Sequence, residues 1–292
     1  MRVYDDFSMF CSNLRMTNET IKKIRNRYSQ ITKRINNDYR NINSENSYSR
    51  YVGSYGRGTE IWTSDIDIIV ILPYETYVRF NNYKGNGQSA LLQEVKQSLQ
   101  KTYSTSHSKS DGQVIGINFN DNISFEIVPV FLNKNGSYTY PDTHNDGTWK
   151  VTDPKPEIGT INNFNKITDG NLKRLCRMTR AWKSHCNVPM NGILIDTLAY
   201  DFMKNWKYKK ESYLYYDFMS RDFFNYLSNI SPSQRYSFAP GSTKKVYIDD
   251  LFQAKARKAF NHAKNAIEYA NNNKFYSSNQ KWREIYGTKF PI

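Results

Sequence analysis

The sequence predicts an α/β protein, with a sheet in its first half and a helical lobe in its second half. Apolar runs of strand length occur before residue 135, at 65–72, 113–119 and 123–131. After Gly170 the apolar residues recur instead every three or four positions, as they do in helices. We therefore expect two domains, residues 1–165 and residues 166–292.

A long helix is predicted near the N-terminus. One apolar face recurs there at alternating spacings of three and four residues, at Ile21, Ile24, Tyr28, Ile31 and Ile35. Thr17 or Asn18 is suited to cap its first turn. We expect this helix to brace both lobes.

The remaining elements of the first half follow from local patterns. A strand should precede Gly53, and the Ile-rich strand over 65–72 should be buried on both faces apart from its acids. Leucines and a valine at helical spacing predict a helix over 88–101. The runs at 113–119 and 123–131 should pair as antiparallel strands through an Asn-Asp-Asn turn.

Glycine and proline mark two irregular segments. Pro141, Pro154 and Pro156 predict an irregular connection between the two halves of the chain. The run from Gly241 to Lys245 predicts a surface loop.

The stretch that says most about chemistry is a glycine-rich turn followed by a strand with two acids. The turn begins at Gly53 and Ser54, and the strand carries Asp65 and Asp67. Because side chains alternate along a strand, the two carboxylates point to the same face, where they repel each other unless cations lie between them. Small residues in the turn leave backbone N–H groups free to bind phosphate. Together these features indicate phosphoryl or nucleotidyl transfer.

A third carboxylate, Glu126, lies in the otherwise apolar run at 123–131. A lone charge in an apolar strand is costly unless it is paired or bound to a metal. If this strand neighbours the strand with Asp65 and Asp67, three carboxylates converge, which is enough to hold two Mg²⁺ ions. The alternative is a structural role for Glu126, paired with a buried arginine.

These motifs resemble those of the cGAS/DncV-like nucleotidyltransferases, within the polymerase-β-like nucleotidyltransferase superfamily. Ten residues separate the Gly-Ser pair from the Asp-Ile-Asp motif, and Glu126 is followed by Ile-Val-Pro. The segments at 140–154 and 281–291 resemble the bacterial members. The resemblance extends from about residue 52 to the C-terminal end of the sequence.

The resemblance implies a mixed sheet that carries the carboxylates, packed against an oligoadenylate-synthase-like helical lobe, with substrates in the cleft between them. It implies that Asp65, Asp67 and Glu126 are both the catalytic residues and the ligands of two Mg²⁺ ions, with Mn²⁺ as an alternative. Gly53 and Ser54 would contact the phosphates of the donor, which is ATP, GTP or a pyrimidine triphosphate. A ribose hydroxyl attacks the donor's α-phosphorus, pyrophosphate leaves, and a second round closes the ring.

The helical half departs from the family at two positions. The family's triphosphate-binding lysine, two residues before a tryptophan, is replaced by Arg180, with Lys183 as a substitute contact. A guanidinium keeps the charge and adds bidentate geometry, so we expect Arg180 to retain the role. Gly192 stands where many relatives have a phosphate-contacting serine. Arg57, in the glycine-rich turn, is expected to be solvated, with a phosphate contact as the alternative.

Charge and composition limit the binding partners and the cellular compartment that we expect. Residues 1–169 hold 20 Lys and Arg against 18 Asp and Glu, whereas residues 170–292 hold 21 against 9. A basic lobe suits polyphosphates and nucleic acids alike. Three cysteines form no disulfide or zinc pattern, no apolar run reaches the ~20 residues of a membrane span, and the N-terminus lacks a signal-peptide core. We expect a cytoplasmic monomer that does not contact membranes.

The function expected from the resemblance is synthesis of a cyclic di- or trinucleotide second messenger in a bacterial anti-phage system of the CBASS type, with a downstream effector that reads the product. Nucleic acid is not expected to be required. Two alternatives stay open: a template-independent RNA nucleotidyltransferase, and a nucleic-acid-activated sensor of the same fold.

Overall fold

The computed structural model describes residues 2–62, 65–104 and 107–292. The chain forms two compact units. The sheet unit comprises Met16–Gly56 and Thr63–Lys155, and the helical unit comprises Met1–Arg15, Arg57–Trp62 and Pro156–Ile292. The units therefore interleave along the chain, whereas the sequence suggested one boundary near residue 165.

Helices and strands alternate in the first half, and helices predominate in the second. The helices in the described part are α1 (Arg2–Asn13), α2 (Asn18–Arg40), α3 (Gly53–Arg57), α4 (Tyr74–Asn81), α5 (Gly87–Gln100), α6 (Lys155–Ile167), α7 (Asn171–Cys186), α8 (Gly192–Asn205), α9 (Tyr216–Ser228), α10 (Gln253–Asn271) and α11 (Phe275–Tyr286). The strands there are β1 (Ser49–Tyr51), β2 (Ile66–Ile71), β3 (His107–Asp111), β4 (Val114–Asn118), β5 (Ser124–Leu132), β6 (Tyr138–Asp142), β7 (Thr148–Thr152), β8 (Tyr236–Phe238) and β9 (Lys245–Tyr247).

The sheet unit is built on one mixed sheet. Among the described residues it has seven strands, in the order β1-β2-β5-β4-β3, and β6 and β7 extend it from β5. β2 and β5 are parallel, and their neighbours are antiparallel. The mixed sheet and the antiparallel pair of β4 and β5 confirm the prediction, and Asn122 supplies the positive φ of 61° in the turn between them.

Helices α2 and α5 cover one face of the sheet. Their apolar residues pack with alternate residues of β2, such as Ile66 and Ile68, in one buried cluster. Thr17 caps α2 by accepting a hydrogen bond from the Thr20 N–H, and Asn41 ends the helix in the left-handed conformation. The opposite face of β2 and β5 carries a smaller apolar cluster around Ile69, and this face also bears the acids.

The predicted irregular connection after β5 is wrong in its first part. Pro141 lies within β6, opposite Trp149 of β7, so this segment is a hairpin that ends before Asp153. Proline lacks an N–H but is tolerated in a strand where that group is not needed for pairing.

The helical unit is held together by aromatic packing. Phe7 of α1 lies edge-on to Trp282 of α11 and to Phe290, with ring centroids 5.1 Å apart in both pairs. Trp182 of α7, fully buried, packs against Phe224 of α9. These contacts explain why α1 groups with the C-terminal helices despite its place in the sequence. No helix in the described ranges is long and apolar enough to cross a membrane.

Candidate active site

Two of the predicted acids lie side by side on neighbouring strands. In the parallel pairing of β2 with β5, Asp67 is directly opposite Glu126. Residues that oppose each other in a sheet point to the same face, so the two carboxylates are neighbours. Both are half-buried. The prediction that these strands are adjacent is therefore confirmed.

The third acid, Asp65, comes just before β2 and lies two residues from Asp67. Its carboxylate accepts a hydrogen bond from the hydroxyl of Ser124, the first residue of β5. Asp65 is exposed. Ser124 thus fixes the position of Asp65 at the end of the strand pair that also carries Asp67 and Glu126.

The glycine-rich turn lies against Asp67. Gly53 has a φ of +58°, and a Cβ added to it would come within 1.8 Å of the Asp67 Oδ2 atom. The Val52 N–H also donates to the Asp67 backbone oxygen at 2.9 Å. Only glycine fits this position, because it needs both a left-handed backbone and the absence of a side chain. Ser54 follows in the first turn of α3.

The acids suit a divalent cation in chemistry but are not gathered around one point. In the described part of the chain, no three Asp, Glu, His or Cys side chains lie close enough to hold a metal ion. Asp65, Asp67 and Glu126 repel one another when they are ionised, and a divalent cation would offset that repulsion. Their oxygen atoms are nonetheless the ligands that Mg²⁺ and Mn²⁺ prefer.

The alternative for Glu126 was a structural pairing with a buried arginine. Among the side chains that the structure describes, no arginine forms an ion pair with Glu126. A half-buried carboxylate without a cationic partner is costly to maintain for stability alone. The catalytic and metal-binding role of Glu126 stays a prediction.

A buried ionic cluster in the helical unit was not predicted. Asp196 of α8 is completely buried and accepts hydrogen bonds from Arg57 Nε at 2.7 Å and from Arg180 Nη1 at 2.6 Å. The Thr59 hydroxyl donates to the same carboxylate at 2.8 Å. The expectation that Arg57 is solvated is wrong, because Asp196 draws it into the interior.

The charge balance of this cluster keeps Asp196 ionised. Burial alone raises the pKa of Asp196, but the guanidinium groups of Arg180 and Arg57 outweigh it and bring the pKa below its usual range. The sequence carries one local signal for this cluster. Asp196 is a lone acid in the apolar run Gly-Ile-Leu-Ile-Asp-Thr-Leu, the same pattern that singled out Glu126.

Arg180, the side chain predicted to contact the triphosphate, belongs to this ionic cluster. Besides Asp196, its guanidinium donates to the backbone oxygens of Gly192 at 2.9 Å and Cys176 at 3.4 Å. The side chain is only 7% exposed. The structure thus gives Arg180 structural partners, and its contact with a triphosphate stays a prediction.

Lys183 lies apart from Arg180, on the half-buried side of the last turn of α7. It lines a cavity of about 330 Å³ together with Asn191, Tyr247, Asp249 and Asp250. Asn191 caps α8 by accepting from the Leu194 N–H at 2.8 Å. The two aspartates make this cavity less favourable for a triphosphate than the lysine alone suggested.

Comparison with known proteins places the chain in a family. Residues 1–165 match the domain described as Second Messenger Oligonucleotide or Dinucleotide Synthetase. A relative from Bacillus cereus (strain VD146), named "Probable cyclic nucleotide synthase", is 22% identical over 275 residues, which cover 82% of this chain and 81% of the relative.

Solved structures share the fold over most of the chain. Escherichia coli MS115-1 CdnC, solved with ATP, is 15% identical with a TM-score of 0.70 and covers 99% of both chains. Bradyrhizobium diazoefficiens CdnG, solved with GTP, is 10% identical with a TM-score of 0.70, over 99% of this chain and 96% of that one. Vibrio cholerae DncV, a cyclic AMP-GMP synthase, is 14% identical with a TM-score of 0.67, over 100% of this chain and 88% of that one. With this fold, the paired acids and the match over more than half of its length, the chain belongs to the second messenger oligonucleotide or dinucleotide synthetases, the cGAS/DncV-like nucleotidyltransferases.

Proposed function

We propose that the protein joins nucleoside triphosphates into a cyclic di- or trinucleotide second messenger, with release of pyrophosphate, in a bacterial defence system of the CBASS type. The observation that carries this proposal is the register that sets Asp67 beside Glu126, with Gly53 packed on Asp67. The names of the relatives support it, since they include a cyclic nucleotide synthase and nucleotidyltransferases solved with ATP and GTP.

Asp65, Asp67 and Glu126 are the residues that would hold the metal, which we propose to be two Mg²⁺ ions, with Mn²⁺ as an alternative. Such ions supply positive charge that offsets the triphosphate and makes a ribose hydroxyl more acidic. The donor set fits this role, because it consists of hard oxygen ligands on one face of two parallel strands.

The protein's own residues have the task of positioning the reactants. Ser124 holds Asp65 in place, and Gly53 lets the backbone of the turn lie against Asp67. We propose that Gly53 and Ser54 contact the phosphates of the donor. The reaction forms a bond from a ribose oxygen of the acceptor to the α-phosphorus of the donor and breaks the bond to pyrophosphate.

The helical unit is proposed to bind the nucleotides through its positive charge. Residues 170–292 carry 12 more Lys and Arg than Asp and Glu. Such an excess attracts polyphosphate substrates at a distance and raises their local concentration. Lys183 and Arg180 stay candidates for triphosphate contacts, although Arg180 is committed to Asp196 in this structure.

The test is a product analysis. Nuclease-treated, purified protein is incubated with all four nucleoside triphosphates and Mg²⁺ or Mn²⁺, and phosphatase-resistant products are identified by mass spectrometry. We expect a cyclic oligonucleotide to form without any primer or added nucleic acid.

Two other outcomes would overturn the proposal. Linear chains that grow only on an added RNA end would show a template-independent RNA nucleotidyltransferase. A strict requirement for duplex DNA or RNA would show a nucleic-acid-activated sensor.

A further inference from the structure

The two-stranded hairpin of the helical unit presents one face to the solvent. In the antiparallel pairing of β8 with β9, Tyr236 is opposite Tyr247 and Phe238 is opposite Lys245. Because side chains alternate along a strand, these four residues lie on the same face of the hairpin, which we call the aromatic face. Phe238 is 54% exposed and Tyr247 is 55% exposed. Two of the three rings on this face are therefore open to solvent.

The other face of the hairpin attaches it to the core of the helical unit. Ser237 and Val246, which alternate with the exposed rings, are both buried. Val246 belongs to the main apolar cluster of the helical unit, as does Ala239 just beyond β8. At the tip of the hairpin, the Ser242 hydroxyl donates to the Glu157 carboxylate of α6 at 2.8 Å. The aromatic face is thus held on an anchored support, and the segment predicted as a surface loop forms the tip of this hairpin.

The rings of the aromatic face are arranged around one cation. Tyr236 lies edge-on to Phe238, with ring centroids 5.3 Å apart, and edge-on to Tyr247, with centroids 6.2 Å apart. The Lys245 Nζ atom lies 4.4 Å from the centroid of the Tyr236 ring. Three rings gathered on one exposed face mark a site of interaction, whereas single exposed apolar residues do not.

The charge of the hairpin is positive. Residues 233–248, which include both strands, hold Arg235, Lys244 and Lys245 and no Asp or Glu. Asp249 and Asp250 follow after the end of β9. An anionic partner would therefore be attracted to the tip end of β9, where Lys244 and Lys245 lie, and repelled from its far end.

We propose that the aromatic face binds single-stranded RNA. Two bases of one strand would stack on Phe238 and Tyr247, which lie about 7–8 Å apart as diagonal neighbours in the pairing. The phosphates would contact Lys245 and Lys244. Aromatic side chains on a sheet face commonly bind single-stranded RNA by stacking on its unpaired bases.

The composition of the aromatic face fits RNA better than a partner protein. The centre of a protein interface is usually depleted of lysine, whereas Lys245 lies against the middle ring of this face. A nucleic-acid strand uses both kinds of group, because its bases stack on rings and its phosphates pair with cations. Duplex RNA fits less well, since its bases are not free to stack.

The most direct test is fluorescence anisotropy with the full-length protein and a labelled oligouridine of about 15 nucleotides, within the range that single-strand sites cover. We expect saturable binding that weakens as salt is added. A duplex RNA of the same length should bind more weakly. Oligodeoxyuridine, which differs only in lacking the 2′-hydroxyls, should bind no more tightly than oligouridine.

Variants of the exposed rings test the stacking contacts. Phe238→Ala and Tyr247→Ala should each weaken oligouridine binding by roughly five- to a hundredfold, the usual effect of losing one stacked base, and Phe238→Trp should retain binding. Tyr276→Ala is the matched control, because Tyr276 lies on α11 of the same unit, is 64% exposed and is not part of the aromatic face. It should leave binding unchanged.

A lysine variant tests the phosphate contact separately. Lys245→Gln should weaken binding and lower the slope of log affinity against log salt by about 0.7, the value for one phosphate contact in a single strand. Lys264→Gln, in a groove lined by α9 and α10 residues, is the control and should leave the slope unchanged.

Ultraviolet crosslinking locates the bound strand independently of the variants. Oligouridine should crosslink to peptides that contain Phe238 or Tyr247. The proposal is overturned if crosslinks form only elsewhere, if Phe238→Ala and Tyr247→Ala bind as tightly as Tyr276→Ala, or if the duplex binds more tightly than the single strand.

Two further outcomes would assign the aromatic face to another partner and overturn the proposal. Tighter binding of oligodeoxyuridine than of oligouridine would indicate single-stranded DNA. If Phe238→Ala lost binding to phosphatidylserine vesicles but kept its affinity for oligouridine, the face would be a membrane contact. None of these results depends on whether the protein makes a cyclic product.

Discussion

Replacing Arg180 with methionine would test whether this side chain acts mainly as a structural group. The substitution keeps a long side chain in the core but removes the hydrogen bonds to Asp196, Gly192 and Cys176. Asp196 would keep two partners, Arg57 and Thr59.

The expected loss of stability follows from the burial of the ion pair between Arg180 and Asp196. Breaking a buried ion pair by removing one partner costs about 3–5 kcal/mol. Because Asp196 keeps Arg57, we expect the lower end for Arg180→Met, about 3 kcal/mol in the free energy of unfolding. Asp196→Ala should cost more, since it leaves two buried guanidinium groups without a carboxylate.

The assay is urea denaturation followed by circular dichroism, with titration of a non-hydrolysable ATP analogue as the second measurement. At a slope of about 2 kcal/mol per molar urea, a loss of that size lowers the midpoint by roughly 1.5 M. Lys183→Met is the control, and it should change stability by less than about 0.5 kcal/mol because Lys183 is only half-buried and has no ion-pair partner in the described part. If Arg180→Met unfolds at the wild-type midpoint but binds the analogue more weakly, Arg180 is a triphosphate contact and our structural interpretation is refuted.

Two further predictions concern single positions. Gly53→Ala should lower turnover by about a hundredfold, because the new Cβ displaces either the turn or Asp67. Gly85→Ala is the control: it introduces a side chain at a positive φ of +97° as well, but its Cβ meets nothing within 4 Å, so turnover should be unchanged. Equal rates for the two variants would contradict the role of the turn. Burial raises the pKa of Asp217 to about 6, so its contribution to stability is present below about pH 4 and is lost as the pH rises through 6. Asp217→Asn keeps an acceptor for the Phe218 N–H and should therefore raise the free energy of unfolding at pH 7.5 by up to about 3 kcal/mol, which thermal unfolding would show as a higher melting temperature. The gain should vanish near pH 4. A gain that does not change with pH would refute the assignment.

The parts of the fold that were predicted correctly depend on local patterns. An Ile-rich run located β2, alternating apolar residues located β5, helical spacing located α2 and α5, and the acids in the two strands located the candidate site. These signals lie within a few residues of one another, so they can be read without knowing the fold.

The parts that were missed depend on contacts between distant segments. The ionic cluster joins Arg57 to Asp196, which are 139 residues apart, and no local pattern specifies that pairing. The helix α1 was not predicted, although Val3, Phe7, Phe10 and Leu14 recur at helical spacing; what the sequence does not specify is that Phe7 packs against Trp282 and Phe290. The hairpin at Pro141 was missed because proline usually marks a break.

The most direct test of the central claim is the turnover of two isosteric variants, Asp67→Asn and Glu126→Gln. Each keeps the shape of the side chain and removes its charge, and relief of like-charge repulsion should leave the unfolding midpoint at or above that of the wild type. With nucleoside triphosphates and Mg²⁺, we expect the wild type to form a phosphatase-resistant cyclic product and both variants to form none within detection. Wild-type turnover in either variant, with the fold intact, would contradict the assignment of this carboxylate pair as the active site.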